Sequence, residues 1–422
     1  MKIRCIHPSR VADAESRKAI YPRNLWYPSL AFPILAVHTP VDVEMEIIDE
    51  TIEDLNFDDP VDLVAITAMT PTVGRAYEIA HRYRERGVKT VMGGFHASAL
   101  PDEAGRHVDC VAVGEGELVW PQIIEDFKNG QLKPRYTAGS LFDMTRYKPP
   151  RVELLSKYWK PADQYEPPYY PSLNVIEVSR GCPFKCSFCA VSNFYGEKHR
   201  YRPVEDVLDG IRRRKLESRD RVISFSDDNL YGNKPYFKKL LSGLKKLNIT
   251  WTSMISINVA HSPEILQMMA DSGCQAIGLG IESLDQECLK SVNKSNNKVE
   301  DYDRLFKLID AHHIKIYLAM MVGFDHDDET VFEKIHDWLK NRMEYIVYCN
   351  CHILTPFPGT ILHRQVSKEN RITDFDWDHY DCRHVVYEPR QMSADTLLKG
   401  FVWLRSNLEA MSIERWKELH LK

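Results

Sequence analysis

The chain has 422 residues, of which 44% are hydrophobic and 27% charged, with a net charge of −5 and a pI near 6.4. That is enough apolar material for more than one ordinary core, and the slightly acidic balance excludes the strongly basic face that nucleic-acid binding requires. No apolar stretch nears the roughly 20 residues of a membrane span, the longest candidate being Leu30 to Val37. The opening Met-Lys-Ile-Arg-Cys-Ile-His reads as a buried strand, not a signal peptide. A cytoplasmic protein with no membrane span and ten reduced cysteines is expected.

In chain order, Ile3–His7, Val43–Ile48, Leu63–Ala68, Val88–Met92 and Cys110–Val113 are short Val- and Ile-rich runs and read as strands. Between them Val73–Arg86 has helical periodicity, and Glu117–Asn129 places Leu118, Trp120, Ile123, Ile124 and Phe127 on one helical face. Strands alternating with helices predict a parallel sheet covered on both faces. Such a doubly wound domain over residues 1–140 binds its ligand over the carboxyl ends of the strands.

Residues 141–172 carry Pro149, Pro150, Pro161, Pro167, Pro168 and Pro171 among several tyrosines, which predicts an extended, ordered linker. From residue 173 the alternation resumes, with strands expected at Asn174–Ser179, Val222–Ser226, Thr250–Ser256, Ala276–Ile281, Lys315–Val322 and Tyr345–Leu354. Helical patterns fall between them, for example Val204–Leu216 and Val331–Arg342. Six such units over 173–370 make a partial (β/α)6 barrel, with its chemistry at the carboxyl ends of the strands. A mostly helical C-terminal extension follows over 371–422, with a helix at Ala394–Met411.

The first barrel strand runs into Ser179-Arg180-Gly181-Cys182-Pro183-Phe184-Lys185-Cys186-Ser187-Phe188-Cys189. Three thiolates on one loop suit iron–sulfur ligation. A cubane has four irons, so three protein ligands leave one iron open. A structural zinc site would need a fourth ligand, for which His199 is the nearest candidate, and usually pairs two separated knuckles. Buried, unliganded cysteines suit this bent, polar loop poorly.

The spacing Cys-x3-Cys-x2-Cys, with the aromatic Phe188 before the last cysteine, resembles the radical S-adenosylmethionine (SAM) superfamily, whose partial barrel matches the units counted above. The resemblance implies a [4Fe–4S] cluster on Cys182, Cys186 and Cys189 whose open iron chelates SAM. The reduced cluster then cleaves SAM to a 5′-deoxyadenosyl radical. It also implies SAM contacts at the strand ends: Phe188; Asp227, Asp228 and Asn229 for the amino group; Glu282 in Gly278-Leu279-Gly280-Ile281-Glu282-Ser283 for the ribose; and Phe324 and Pro356 beside the adenine. Helix capping is the alternative use of the Asp-Asp-Asn trio, and turn chemistry that of the last two strand ends. The basic run Tyr195 to Arg202 reads equally as an anion contact or a solvated face. Cys349, Cys351 and Cys382 read as a second cluster, a reactive thiol or simple packing residues, packing being the commoner use. His312 and His313 read as helix-end residues.

The strand ends of the first domain, Thr70 and Thr72, Gly93, Gly94 and His96, and Gly114 and Glu115, resemble the cobalamin-binding domains of B12-dependent radical SAM proteins. The Asp-x-His-x-x-Gly signature that supplies a histidine to cobalt is absent, and so is a dinucleotide GxGxxG. The resemblance implies three cofactors: a [4Fe–4S] cluster, SAM and cobalamin. It implies C-methylation of an unactivated carbon in a small-molecule or lipid-like substrate, with an electron donor such as flavodoxin or ferredoxin. Two other readings stay open. One is a radical SAM enzyme with a non-functional B12 domain, performing aminocarboxypropyl transfer or a ring rearrangement. The other is a non-enzymatic cobalamin or metal carrier.

Overall fold

The computed structural model describes residues 1–10, 28–159, 173–217 and 222–420, without the side chains of 215–217 and 412–420. It divides into two compact units. One holds Met1–Val175 with Asn193–Gly196 and Asp376–Asp378; the other holds Ile176–Ser192, Glu197–Phe375 and His379–Lys422.

In the first unit β1 (Lys2–His7), β2 (Glu44–Asp49), β3 (Leu63–Thr67), β4 (Lys89–Gly93), β5 (Cys110–Val113) and β6 (Arg135–Thr137) form one parallel sheet in the order β2-β1-β3-β4-β5-β6. Successive residues point to opposite faces. Ile3, Cys5, Leu63 and Ala65 therefore pack under the helix Trp120–Lys128, while Ile6, Val64 and Ile66 pack under Val73–Glu85. Both faces being covered explains why these strands are continuous apolar runs. Strand order reverses at β1, so the crevice beside β1 and β3 is the ligand position of such a sheet.

The structure departs from the sequence reading in two places here. Strand β6 was not anticipated, because three residues carry no readable alternation. The expected linker is also, in its described part, a wall of this unit. Phe142, Met144, Tyr147 and Val152 form a small core with Leu30, Ile34 and Val175, and Leu155 and Tyr158 join the core beneath the sheet. Pro161, Pro167, Pro168 and Pro171 lie outside the described residues.

The second unit contains β7 (Val175–Ile176, its first residue shared with the other unit), β8 (Ser179–Arg180), β9 (Arg200–Tyr201), β10 (Val222–Phe225), β11 (Thr250–Met254), β12 (Cys274–Glu282), β13 (Lys315–Val322) and β14 (Ile346–Ile353). Six of them form a sheet in the order β14-β13-β12-β11-β10-β7, with helices on the outside between successive strands. The strand expected over Asn174–Ser179 is broken. The Val178 N–H leaves the ladder to donate to Asp227 Oδ2 at 3.0 Å, and β8 turns to pair antiparallel with β9.

Strand β13 alternates strictly. Ile316, Leu318, Met320 and Val322 are buried against the helices, whereas Tyr317, Ala319 and Met321 are partly exposed on the opposite face. A closed eight-strand barrel would fill that inner face with side chains; six strands leave it concave and open. The C-terminal helix runs from Ala394 to His420, longer than expected, and buries Leu397, Phe401, Leu404 and Leu408 on the barrel. Residues 371–393 hold no α-helix, only the 3-10 turn Trp377–His379. Arg371 fastens them to the tip of β13 by two bonds to the Asp325 carboxylate, 2.8 and 3.0 Å. Among the described residues no helix is long and apolar enough to cross a membrane.

Candidate functional site

The three-cysteine loop follows β8 at the carboxyl end of the barrel. Gly181 takes φ 85°, a conformation that favours glycine, and turns the chain into it. Cys186 is buried and Cys182 and Cys189 are partly so. Burial pushes all three thiols up, Cys189 to about 12. Opposing it are the Phe184 amide at Cys182, the Val191 amide at Cys189, and the Lys294 ammonium near Cys182 and Cys186. Buried thiols that meet backbone N–H groups and a cation fit an iron–sulfur cluster, whose sulfurs are held as thiolates and tuned by such donors. The zinc alternative loses its fourth ligand, because both nitrogens of His199 are engaged: Nε2 with Ser179 Oγ and Nδ1 with Tyr201 OH, each at 2.8 Å. Burial, then Arg200, drives that imidazole down to about 4, so it is neutral.

Part of the basic run is also spent on the fold. Arg202 donates to the backbone oxygens of Glu177 and Asp206 at 2.7 and 3.1 Å, and Lys185 pairs with Glu197 at 2.5 Å.

The Asp-Asp-Asn trio after β10 divides its labour. Asp227 is buried and bonds Val178 N–H and Ser179 Oγ, so it braces the strand that leads into the cysteine loop. Asp228 is exposed, yet enclosed enough that desolvation, with Glu177 adding to it, pushes its carboxyl up to about 6. Asn229 Oδ1 accepts the Ser256 N–H at 2.9 Å. Its buried Nδ2 has no hydrogen-bond partner at normal distance and lies toward the Cys182 sulfur, whose pKa it lowers.

Glu282 ends β12 at a bulge, where the register with β13 shifts after Gly280, and its φ is 65°. Asn297 Nδ2 donates to Gly280 O at 3.1 Å and Tyr302 OH to Ile281 O at 3.2 Å, which holds the bulge. The Glu282 carboxylate forms an ion pair with Lys294, and both side chains are largely buried. Burial pulls the Lys294 pKa down, but Glu282 and Cys186 more than offset it, so the ammonium persists. Its Nζ also lies 5.9 Å from the Phe188 ring centroid. The two glycines have steric reasons: a Cβ on Gly280 would strike Glu282 Oε1, and one on Gly278 would strike Met254 Sδ. Lys294 was missed in the sequence because its contacts are tertiary; only the left-handed Asn293 beside it, φ 58°, marks the turn that brings it back.

At the fifth and sixth strand ends, Phe324 is fully buried with Leu354 and Tyr387, and Pro356 is buried as well. Both shape the strand tips from beneath. Cys349 and Cys351 face outward into the helix-packed core with Ile353, the packing use of cysteine. His312 Nδ1 bonds the Leu308 carbonyl at 2.7 Å, a helix-end role.

In the first unit the cobalamin candidates lie at the ends of β3, β4 and β5. Gly94 has φ 99°, and a Cβ there would sit 2.8 Å from the Ala68 carbonyl oxygen. Gly114, φ 87°, donates its N–H to Ser98 Oγ at 3.0 Å. Like Gly93, they add no side chain of their own at these strand ends. Thr70 opens a short 3-10 turn, and Thr72 bonds the Met69 carbonyl at 3.1 Å. His96 is fully buried, with Nδ1 3.3 Å from Thr70 Oγ1 and Nε2 3.3 Å from Glu103 Oε1. Tyr77 OH and Trp377 Nε1 donate to the same Glu103 oxygen at 3.0 and 2.8 Å. With both nitrogens engaged, His96 orients Thr70. Glu115 accepts the Phe142 N–H at 2.6 Å and fastens the segment after β6.

Comparison with known proteins agrees with this division of the chain. Residues 176–339 match the Radical SAM superfamily and residues 9–124 match the B12 binding domain. The chain is 36% identical to the bacteriochlorophyllide d C-12(1)-methyltransferase of Chlorobaculum tepidum, over 82% of this chain and 74% of that protein. It is 31% identical to the bacteriochlorophyllide d C-8(2)-methyltransferase of the same organism, over 93% and 87%. In fold it is similar to TsrM from Kitasatospora setae with cobalamin and a [4Fe–4S] cluster bound, at TM-score 0.65 and 16% identity, over 87% of this chain and 78% of that one. The chain is thus a member of the radical SAM enzymes that carry a B12-binding domain, with SAM, a [4Fe–4S] cluster and cobalamin as its cofactors.

Proposed function

We propose that Cys182, Cys186 and Cys189 hold the cluster, and that the enzyme methylates a carbon on a tetrapyrrole of the bacteriochlorophyllide class. The observation that carries the site is the loop itself: three thiols backed by amide donors and the Lys294 ammonium. The substrate class is supported by the two relatives described above at 36% and 31% identity, both named for bacteriochlorophyllide d; the hopanoid C-2 methylase of Rhodopseudomonas palustris stands at 24%. When bound, cluster and SAM supply a carbon-centred radical and cobalamin supplies the methyl group. The chain's own residues bind and position. Asp228 and Asn229 meet the SAM amino group, and Glu282, held by Lys294, meets the ribose. Phe188 packs on the SAM side of the loop, with Phe324 and Pro356 supporting the adenine end. Asp227 positions the loop through Ser179. Thr70, Thr72, Gly93, Gly94 and Gly114 receive the corrin, with His96 and Glu115 as positioning residues. A cytoplasmic flavodoxin or ferredoxin supplies the electron.

The test is anaerobic reconstitution of the wild type and of the variant with all three cysteines changed to alanine. The wild type is expected to bind iron, to release 5′-deoxyadenosine from SAM, and to add one methylene unit to a bacteriochlorophyllide. The variant should lose the iron and both products. Iron and SAM cleavage unchanged in the variant would sink the cluster assignment. Methylthioadenosine in place of 5′-deoxyadenosine would sink methylation.

A further inference from the structure

The inner face of the last two strands holds groups that the SAM and cluster assignments leave unused. Register pairs Tyr317 with Tyr348, Ala319 with Asn350 and Met321 with His352, all on the face opposite the helix-packed core. His352 is partly exposed there. His96, His199, His312, His379 and His384 each have at least one ring nitrogen bonded within the protein. The His352 imidazole has no hydrogen-bond, ion-pair or ring partner among the described residues. Two guanidinium groups, Arg383 and Arg405, lie within electrostatic range of it.

A partly buried histidine with nothing to bond is a lone-pair donor waiting for a ligand. Its surroundings keep it one: burial, then Arg383 and Arg405, lower it to about 4 against the pull of Asp381. A tetrapyrrole brings two complementary features. Its magnesium, held by four pyrrole nitrogens, keeps an open axial position. Its macrocycle is flat and apolar and suits the aromatic and methionine faces of Tyr317, Tyr348 and Met321.

We infer that His352 is the axial ligand for the central magnesium of the substrate. This rests on the tetrapyrrole reading above. It gives the barrel a substrate wall on β13 and β14, across the sheet from the strands that lead into the cysteine loop and the Asp-Asp-Asn trio.

The experiment titrates the anaerobic holoenzyme with magnesium chlorophyllide and with its metal-free counterpart, pheophorbide, and follows macrocycle fluorescence and the far-red absorption band. The wild type is expected to bind the magnesium form at least about tenfold more tightly. His352→Ala should erase that preference, keep the pheophorbide affinity, iron and corrinoid content, and regain the preference when imidazole is added. His352→Leu serves if the alanine variant fails to fold. Equal binding of the two pigments by the wild type, or a preference that survives in the variants, would overturn the axial ligand and leave the tetrapyrrole reading standing. A wild type that binds neither pigment would overturn both.

Discussion

Replacing Asp227 by asparagine is expected to change how barrel stability depends on pH. Asp227 is 3% exposed, and burial pushes its carboxyl up to about 7 despite the bonds from Ser179 and Val178 that pull it down. In the unfolded chain the same group titrates near 3.9. Between those values the native state holds a proton that the unfolded state has released. Stability therefore falls as pH rises through the window and is fully present only below about 4. About three pH units at ~1.4 kcal/mol each set a loss of about 4 kcal/mol by pH 7, with no further change above it. Asparagine removes that dependence and keeps the bonds. Its Oδ1 accepts the Val178 N–H and its Nδ2 donates to Ser179 Oγ, whose hydroxyl then turns to His199 Nε2. The assay is urea unfolding of the cofactor-free wild type and variant between about pH 4 and about pH 8, read as the difference between the two. Other titrating groups cancel in that difference. It should rise in favour of the variant up to about pH 7 and then level. A difference that is flat with pH would refute a protonated Asp227 in the native barrel.

Lys294→Met leaves the Glu282 carboxylate buried without its partner, which costs about 3–5 kcal/mol in barrel stability. Adding Glu282→Gln should recover most of it, as a double-mutant cycle would report. Gly94→Ala forces a side chain onto the Ala68 carbonyl at φ 99°. The corrinoid content of purified protein should drop while its iron content holds, both read from absorption and metal analysis. Cys349→Ala and Cys351→Ala trim the outer core only. Each should cost about 1 kcal/mol or a little more and leave iron per chain unchanged; lost iron would restore the second-cluster reading.

What was legible in the sequence follows the range of the forces involved. Leu63 to Ile66 reads as a buried strand because both its neighbours are apolar, and Cys182 to Cys189 reads as a ligand set because its members share one loop. Glu282 was visible through the glycines that make room for it. Strand β6 was not, since three residues show no period, and neither was the wall from Phe142 to Tyr158, whose 3-10 turns bury residues at irregular spacing. The expected strand at 174–179 failed for a tertiary reason: the Asp227 side chain takes a backbone N–H that the ladder would have used. Lys294 escaped notice because what distinguishes it is its tertiary neighbours Glu282 and Cys186, and His352 because no sequence pattern shows an imidazole left without a hydrogen-bond partner among the described residues.

Glu282 accumulates costs that stability alone would have removed. A non-glycine residue at φ 65° is strained by about 1–3 kcal/mol, and a largely buried ion pair seldom gains more than its desolvation loses. Other left-handed positions have easier reasons: Asn248 ends a helix at φ 47°, and asparagine tolerates that conformation at small cost. Glycine at 282 would relieve the strain and leave the bulge intact, since Asn297 and Tyr302 hold it through backbone oxygens and not through the glutamate. The side chain is therefore kept for what it does beyond the fold. Its position fits a ligand role: it ends β12 at the carboxyl edge of the barrel, beside an ammonium that also faces Phe188 and the loop thiols Cys186 and Cys189. One lysine thus couples the cysteine loop to the proposed ribose contact, so that ordering either one restricts the other.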